Sequence, residues 1–139
     1  MITFNYETNF ELPYSELIFK QWIEKIIVSE NKELGDINYI FCDDNYLYQI
    51  NVEYLNHDTL TDIITFDYTE GDVLSSDIFI SVERVQDNAN DFGVSFQTEL
   101  LRVMAHGVLH LCGYKDKTDT DSLQMRTKEE EKMIFFTEK

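Results

Sequence analysis

Two of the chain's three histidines fall in one short run, His106-Gly-Val-Leu-His110-Leu-Cys-Gly113-Tyr-Lys-Asp116, and that run holds the residues best suited to chemistry. Side chains four apart on an α-helix share a face, so His106 and His110 point the same way if the helix that starts near Phe96 runs through them. Gly113 is a natural stop for that helix. Three residues later the chain can fold back and bring the Asp116 carboxylate toward the two rings. Two nitrogens and one oxygen leave the fourth position of a tetrahedral zinc open to water, which is how catalytic rather than structural zinc sites are built. The alternative is a pair of half-exposed helix histidines with no ion between them. A bare His-x3-His spacing does not separate the two; the glycine stop, the closing aspartate and the scarcity of histidine elsewhere favour the metal.

The residues around the pair narrow the chemistry. Zinc proteases of the HExxH type place a glutamate directly after the first histidine as general base, and here that position is Gly107, which argues against peptide hydrolysis by that route. What remains is water activated by the metal itself, with the metal also polarising a carbonyl or phosphoryl oxygen. Two histidines and a carboxylate also describe a non-haem iron oxygenase site, but nothing else in the sequence argues for oxygen chemistry. Histidines in a core helix cost about 1–3 kcal/mol per unsatisfied group. A metal removes that cost, and so would a carboxylate such as Glu99, seven residues before His106 and on its face. Glu99 can equally serve the metal, as the acceptor that orients His106 and fixes its tautomer. Gly107 inside the helix costs about 1 kcal/mol relative to alanine, which points to something packed closely there.

The elements that position these residues read as an alternation of short strands and helices. Ile2 to Tyr6 alternates as a strand, and a helix follows Pro13 with Leu17, Ile18, Trp22, Ile23, Ile26 and Ile27 at helical spacing. Gly35 is read as separating that helix from a strand at Ile37 to Phe41, and Asp43 or Asp44 as capping a helix that carries Leu47, Ile50 and Tyr54. Thr61 to Tyr68 and Asp77 to Ser81 are predicted to form a hairpin across the turn-like Thr69-Glu-Gly-Asp72. A polar helix from Glu83 to Asp91 ends at Gly93. Ser95 caps the next, Phe96 to Leu111, whose apolar residues cover most of its circumference, so it is expected to be central and buried. A last helix runs from about Thr120 to Phe136. Four strands and about five helices imply an α+β fold, a small four-stranded sheet packed against the helices with the metal site on the central buried one.

With 139 residues, 43% of them hydrophobic, the chain is long enough for one core and too short for two ordinary domains, so a single domain over residues 1–139 is expected. No lysine or arginine precedes Lys20, and Glu7, Glu11 and Pro13 interrupt the start, so neither a signal peptide nor a membrane span is expected and the cytoplasm is the expected location. Cys42 and Cys112 form no CxxC unit and fit a reducing compartment as small apolar residues. A net charge of −16 disfavours generic nucleic-acid binding, which draws on lysine and arginine. The charge is uneven: residues 115–139 hold six of the eleven basic side chains, and none lies between Lys32 and Arg84. That acidic stretch suits a basic protein partner, or else is a solubilising coat.

The His106 to Asp116 run resembles the YbeY family of bacterial endoribonucleases, also called rRNA maturation factors, whose hallmark is His-Gly-x-Leu-His-Leu-x-Gly-Tyr-Asp-His. Asn51-Val-Glu-Tyr54 with Thr61-Asp-Ile-Ile-Thr-Phe66 is similar to the family's Asn-x-x-Tyr-Arg and Thr-Asp-Val-Leu-Ser-Phe segment, and Ser76-Asp-Ile-Phe-Ile-Ser81 to its Gly-Asp-Ile-x-Ile-Ser. Met125 and Glu129 downstream agree too, so the resemblance covers roughly residues 40 to 130. It implies a zinc-dependent endoribonuclease specific for single strands, acting in 16S ribosomal RNA 3′ end maturation and in ribosome biogenesis and quality control. One Zn2+ per chain would be held by His106, His110 and Asp116, and its partners would be ribosomal RNA and the small ribosomal subunit. Two positions depart from the pattern. Asp116 replaces the family's third histidine at the same spacing, a competent exchange for zinc, and Lys115 replaces its aspartate. Leu55 stands where the family has an arginine that supports RNA cleavage. Nearby His57 is either a partial substitute or an exposed loop histidine. Lys115, Lys117, Arg126 and Lys128 are the cations placed to meet phosphate, if they are more than surface residues. A reading of another class makes the protein a ribosome-assembly adaptor that binds a basic ribosomal protein through its acidic face, with little or no nuclease activity.

Overall fold

Alternating burial along the strands gives the sheet two different faces, and this sets where each helix can pack. The structure, a computed structural model, describes residues 1–55 and 61–136; His57 lies outside the described residues, as does the side chain of Leu55. Four strands, β1 (Ile2–Tyr6), β2 (Glu33–Cys42), β3 (Ile63–Asp67) and β4 (Val73–Ser81), form one sheet in the order β1-β2-β4-β3. The first two neighbour pairs are parallel, and β3 closes the far edge antiparallel to β4, as the predicted hairpin requires.

Both central strands start earlier than their sequence suggests. Glu33 pairs with Val73 and Leu34 with Leu74, and the register then shifts before Ile37 pairs with Ser76. Gly35 sits in that irregularity, so it is part of β2 and does not separate the strand from the helix before it. A Cβ there would lie 2.7 Å from the Leu74 carbonyl oxygen and collide with the Ser75 hydroxyl. Only glycine lets the two backbones approach so closely.

On one face of the sheet, Ile37, Tyr39 and Phe41 of β2 and Leu74, Ile78 and Ile80 of β4 join a continuous core with α1 (Glu16–Ser29) and α4 (Phe96–Leu111). Ser15 caps α1 by accepting the Leu17 N–H, and Phe19, Trp22, Ile23, Ile26 and Ile27 form its buried stripe. The other face carries a small cluster of Cys42, Leu47 and Ile64 beneath α2 (Asp44–Leu55). The helix α3 (Val82–Phe92) ends at Gly93 with φ +68°, and α5 (Asp119–Met133) stops three residues before the predicted end. Phe136 lies beyond the helix, with its ring against Phe19 and Trp22. The α+β architecture is therefore as expected, with five helices and four strands among the described residues.

The central helix is buried almost all round. Ser95 caps it through Oγ, which accepts the Thr98 N–H at 3.1 Å, and the buried Tyr39 hydroxyl donates to the Met104 carbonyl at 3.0 Å. Between Glu99 and Leu109 only Arg102 and His106, four apart, escape full burial. Gly107 faces the sheet: a Cβ there would lie 3.1 Å from Ile63 Cδ1 and 3.3 Å from Ile78. A lysine anchors the neighbouring helix. Lys132, 2% exposed, bonds Glu30 at 2.7 Å, Glu131 at 2.8 Å and Ser29 at 2.9 Å, while its carbonyl accepts the Trp22 indole N–H. Glu30 also accepts from the Tyr114 hydroxyl at 2.8 Å, which ties the segment after α4 to the end of α1.

These contacts predict different outcomes for two substitutions at one position. Gly107→Ala gains helix propensity worth about 1 kcal/mol and displaces only isoleucine tips, so its Tm should stay close to that of the unaltered chain. Gly107→Val adds two further carbons to a closed contact and should destabilise by about 1–3 kcal/mol in denaturant unfolding. Equal stability of the two variants would contradict the packing described.

Candidate active site

The two breaks in the burial of α4 open onto a cavity of about 530 Å³. Its walls come from α3, the start of β3, α4 and α5, with Asp62, Asn88, Phe92, Arg102, His106 and Asp116 among its lining residues. The floor of this cavity is a line of charge. Glu129 of α5 places Oε2 2.7 Å from His106 Nδ1 and Oε1 3.3 Å from Arg102 Nη1, and Arg102 Nε lies 3.7 Å from Glu99 Oε1. The His106 Nε2 atom then faces Asp116 Oδ2 at 3.9 Å, and Asp116 Oδ1 accepts from the Ser122 hydroxyl at 2.8 Å. Asp116 is brought there by the segment that leaves α4 at Gly113, where φ is +106°.

The buried carboxylate at Nδ1 is the arrangement that fixes a metal-binding imidazole, since it holds the ring's proton on that nitrogen and leaves Nε2 as the free donor. Sequence reasoning assigned this task to Glu99. That residue is 3% exposed but contacts Arg102 instead, and its Oε1 has no hydrogen-bond partner. Seven residues along a helix give the same face but not contact, and Glu129 arrives from α5, where only the family pattern marked it. Asp62 was also missed as a lining residue; its side chain accepts from Asn88 at 3.3 Å and its carbonyl from the Ser81 N–H at 3.0 Å.

Not every predicted residue gathers here. His110 lies one turn beyond His106 and is exposed, outside the cavity lining, and among the described residues no three His, Cys, Asp or Glu side chains form a group able to hold an ion. Of the proposed phosphate contacts, Arg126 lines the cavity. Lys128 is engaged elsewhere, 3.8 Å from Glu30 and over the Tyr114 ring, while Lys115 and Lys117 are exposed outside the cavity.

Two of the residues present, His106 and Asp116, are spaced so that an ion could be shared between them. An ion bonded at about 2.0–2.2 Å to each of an imidazole nitrogen and a carboxylate oxygen would span a gap close to that between His106 and Asp116. His106 Nδ1 is already committed to Glu129, so Nε2 is the atom left to donate.

The electrostatics follow from burial and sign. Burial, the largest influence on His106, disfavours its charged form, but the hydrogen bond to Glu129 and the charges of Glu129, Asp116 and Asp62 outweigh it and raise the pKa above 6.5. Burial raises Asp62 against the opposing charge of His106, and raises Glu99 against Arg102. For the metal-free chain, the His106 contribution to stability is complete below the unfolded value near 6.5 and is lost as pH rises through the higher folded value. Titration of the imidazole by NMR should therefore give a midpoint above 6.5, and Glu129→Gln should lower it. The stability gap between the two chains should also narrow as pH rises through that midpoint. A midpoint unmoved by the substitution would show that Glu129 does not govern the ring.

Comparison with known proteins shows the family of this chain. The model of the family described as Endoribonuclease YbeY matches residues 3–136. A Flavobacterium johnsoniae protein named Endoribonuclease YbeY is 65% identical over 98% of this chain and 97% of its own length. The Karelsulcia muelleri protein of that name is 47% identical over 100% of this chain and 98% of its own. The solution structure of TM1509 from Thermotoga maritima superposes with a TM-score of 0.68 at 26% identity, over 98% of this chain and 89% of the other. From the match over residues 3–136 and relatives sharing half to two thirds of its residues, the chain belongs to the YbeY family.

Proposed function

We propose that residues 1–139 form one domain that acts as an endoribonuclease, hydrolysing phosphodiester bonds of single-stranded RNA with one Zn2+ held by His106, His110 and Asp116. The observation that carries this reading is the His106 ring, fixed at Nδ1 by buried Glu129 and facing Asp116 through Nε2. Zinc held there would supply Lewis acidity toward a phosphoryl oxygen and acidify a bound water.

The chain's own residues do the rest. Glu129 keeps the imidazole in one tautomer, and Arg102 braces Glu129 from its other oxygen. Ser122 holds the Asp116 carboxylate toward His106. Arg126, on the cavity wall, offers the cation for a phosphate oxygen that Leu55 does not supply. Hydrolysis adds the hydroxyl of water to phosphorus and its proton to the leaving oxygen, and the half-buried Asp62 and buried Glu99 carboxyls on the cavity wall are at hand to manage that proton. The substrate is ribosomal RNA at the 3′ end of 16S rRNA, on or near the small ribosomal subunit, in the cytoplasm. Among the described residues no helix is long and apolar enough to cross a membrane. The adaptor reading rests on the acidic stretch between Lys32 and Arg84 and a basic ribosomal protein partner.

Metal analysis tests the ligand set. His106→Ala, His110→Ala and Asp116→Ala should each retain far less zinc than the unaltered chain, and equal zinc in all four would remove the assignment. RNA cleavage tests the reaction: the metal-replete chain should cut a single-stranded ribosomal fragment at least about 100-fold faster than Asp116→Ala. Salt-sensitive capture of a basic ribosomal protein that survives chelation, with no cleavage, would instead establish the adaptor.

A further inference from the structure

An RNA-cutting protein with a net charge of −16 has to gain substrate affinity from something other than its overall field. Inside the cavity the cations are few. Arg102 is held by Glu99 and Glu129, whereas Arg126 has no ion pair among the described residues. One arginine outside any close ion pair can meet about one phosphate, and much of the remaining affinity must come from contacts that do not depend on charge.

Phe92 provides such a contact. It is the last residue of α3, held at the cavity by the left-handed turn at Gly93, and it is the only Phe, Tyr or Trp among the cavity's lining residues. The residue is 57% exposed, and its ring stacks on no other ring among the described residues and takes no part in either apolar cluster. A large apolar side chain exposed at the edge of a polar cavity gains when a flat partner covers it, and every nucleobase offers such a face. We propose that Phe92 is the platform on which an unpaired nucleobase of the substrate stacks, with an adjoining phosphate met by Arg126. Bases paired in a duplex have no free face to give, so this subsite selects single strands. The inference rests on the endoribonuclease reading and assigns that site a base-binding residue.

The test uses fluorescence anisotropy with a labelled single-stranded oligodeoxyadenylate, an uncleaved stand-in for RNA, and with the same strand made abasic, on the zinc-replete full chain. Phe92→Ala and Phe92→Leu should each weaken binding of the oligodeoxyadenylate by about tenfold, and Phe92→Trp should match or exceed the unaltered chain. The abasic strand should bind all four alike. Substitution of Phe92 should leave the salt dependence unchanged, whereas Arg126→Ala should reduce its slope by about 0.7. Because Phe92 is exposed, its variants should melt with the unaltered chain, which separates lost binding from lost fold. Equal affinity of the Ala and unaltered chains for the oligodeoxyadenylate, or an equal loss on the abasic strand, would overturn the platform. If the unaltered chain cleaves no RNA yet the Phe92 variants lose binding as described, the platform stands and the nuclease reading falls.

Discussion

The hydrogen bond between His106 Nδ1 and the Glu129 carboxylate is the contact on which the candidate site depends. Together with the Arg102–Glu129 ion pair it joins α4 to α5, and it settles which nitrogen of the ring is available to a ligand. A carboxylate this deeply buried is tolerated only with partners, and Glu129 has two, the imidazole on one oxygen and Arg102 on the other. The geometry of α5 is thereby part of the chemistry of α4. Lys132 and Trp22 fix α5 from its far end, so the position of one ring atom rests on contacts that reach across the molecule.

The same economy shows in the charge. The chain is strongly acidic, yet its cavity sets arginines among carboxylates, with Arg102 neutralised and Arg126 exposed on the wall. An acidic surface with one local cation repels polyanions in general and admits a strand only where other contacts compensate. An exposed aromatic ring at the mouth suits that requirement, since stacking depends little on ionic strength. On the proposed reading, specificity comes from shape and from unpaired bases rather than from a broad basic surface.

Much of this was legible in the residues themselves. The bounds of α4 follow from Ser95 and Gly113 and from apolar residues on every side, and the hairpin follows from two β-branched runs around Gly71. The early starts of β2 and β4 were not legible, because Glu33, Ser75 and Ser76 lack the apolar signature and take strand form through parallel pairing of β2 with β4. Nor was the partner of His106. Helical spacing ranks residues on one helix, but Glu129 belongs to a largely polar helix whose packed face only tertiary contact reveals. Phe92 is a lone aromatic at a helix end, and its value comes from the cavity beside it.

Anomalous diffraction at the zinc absorption edge, from crystals of the zinc-loaded chain, tests the central claim most directly. The account predicts a single strong peak between His106 and Asp116, bonded to His106 through Nε2 and to the Asp116 carboxylate, with His110 turned in as the third ligand and Glu129 still on Nδ1. Zinc bound elsewhere, or held through His106 Nδ1 with Glu129 displaced, would contradict it.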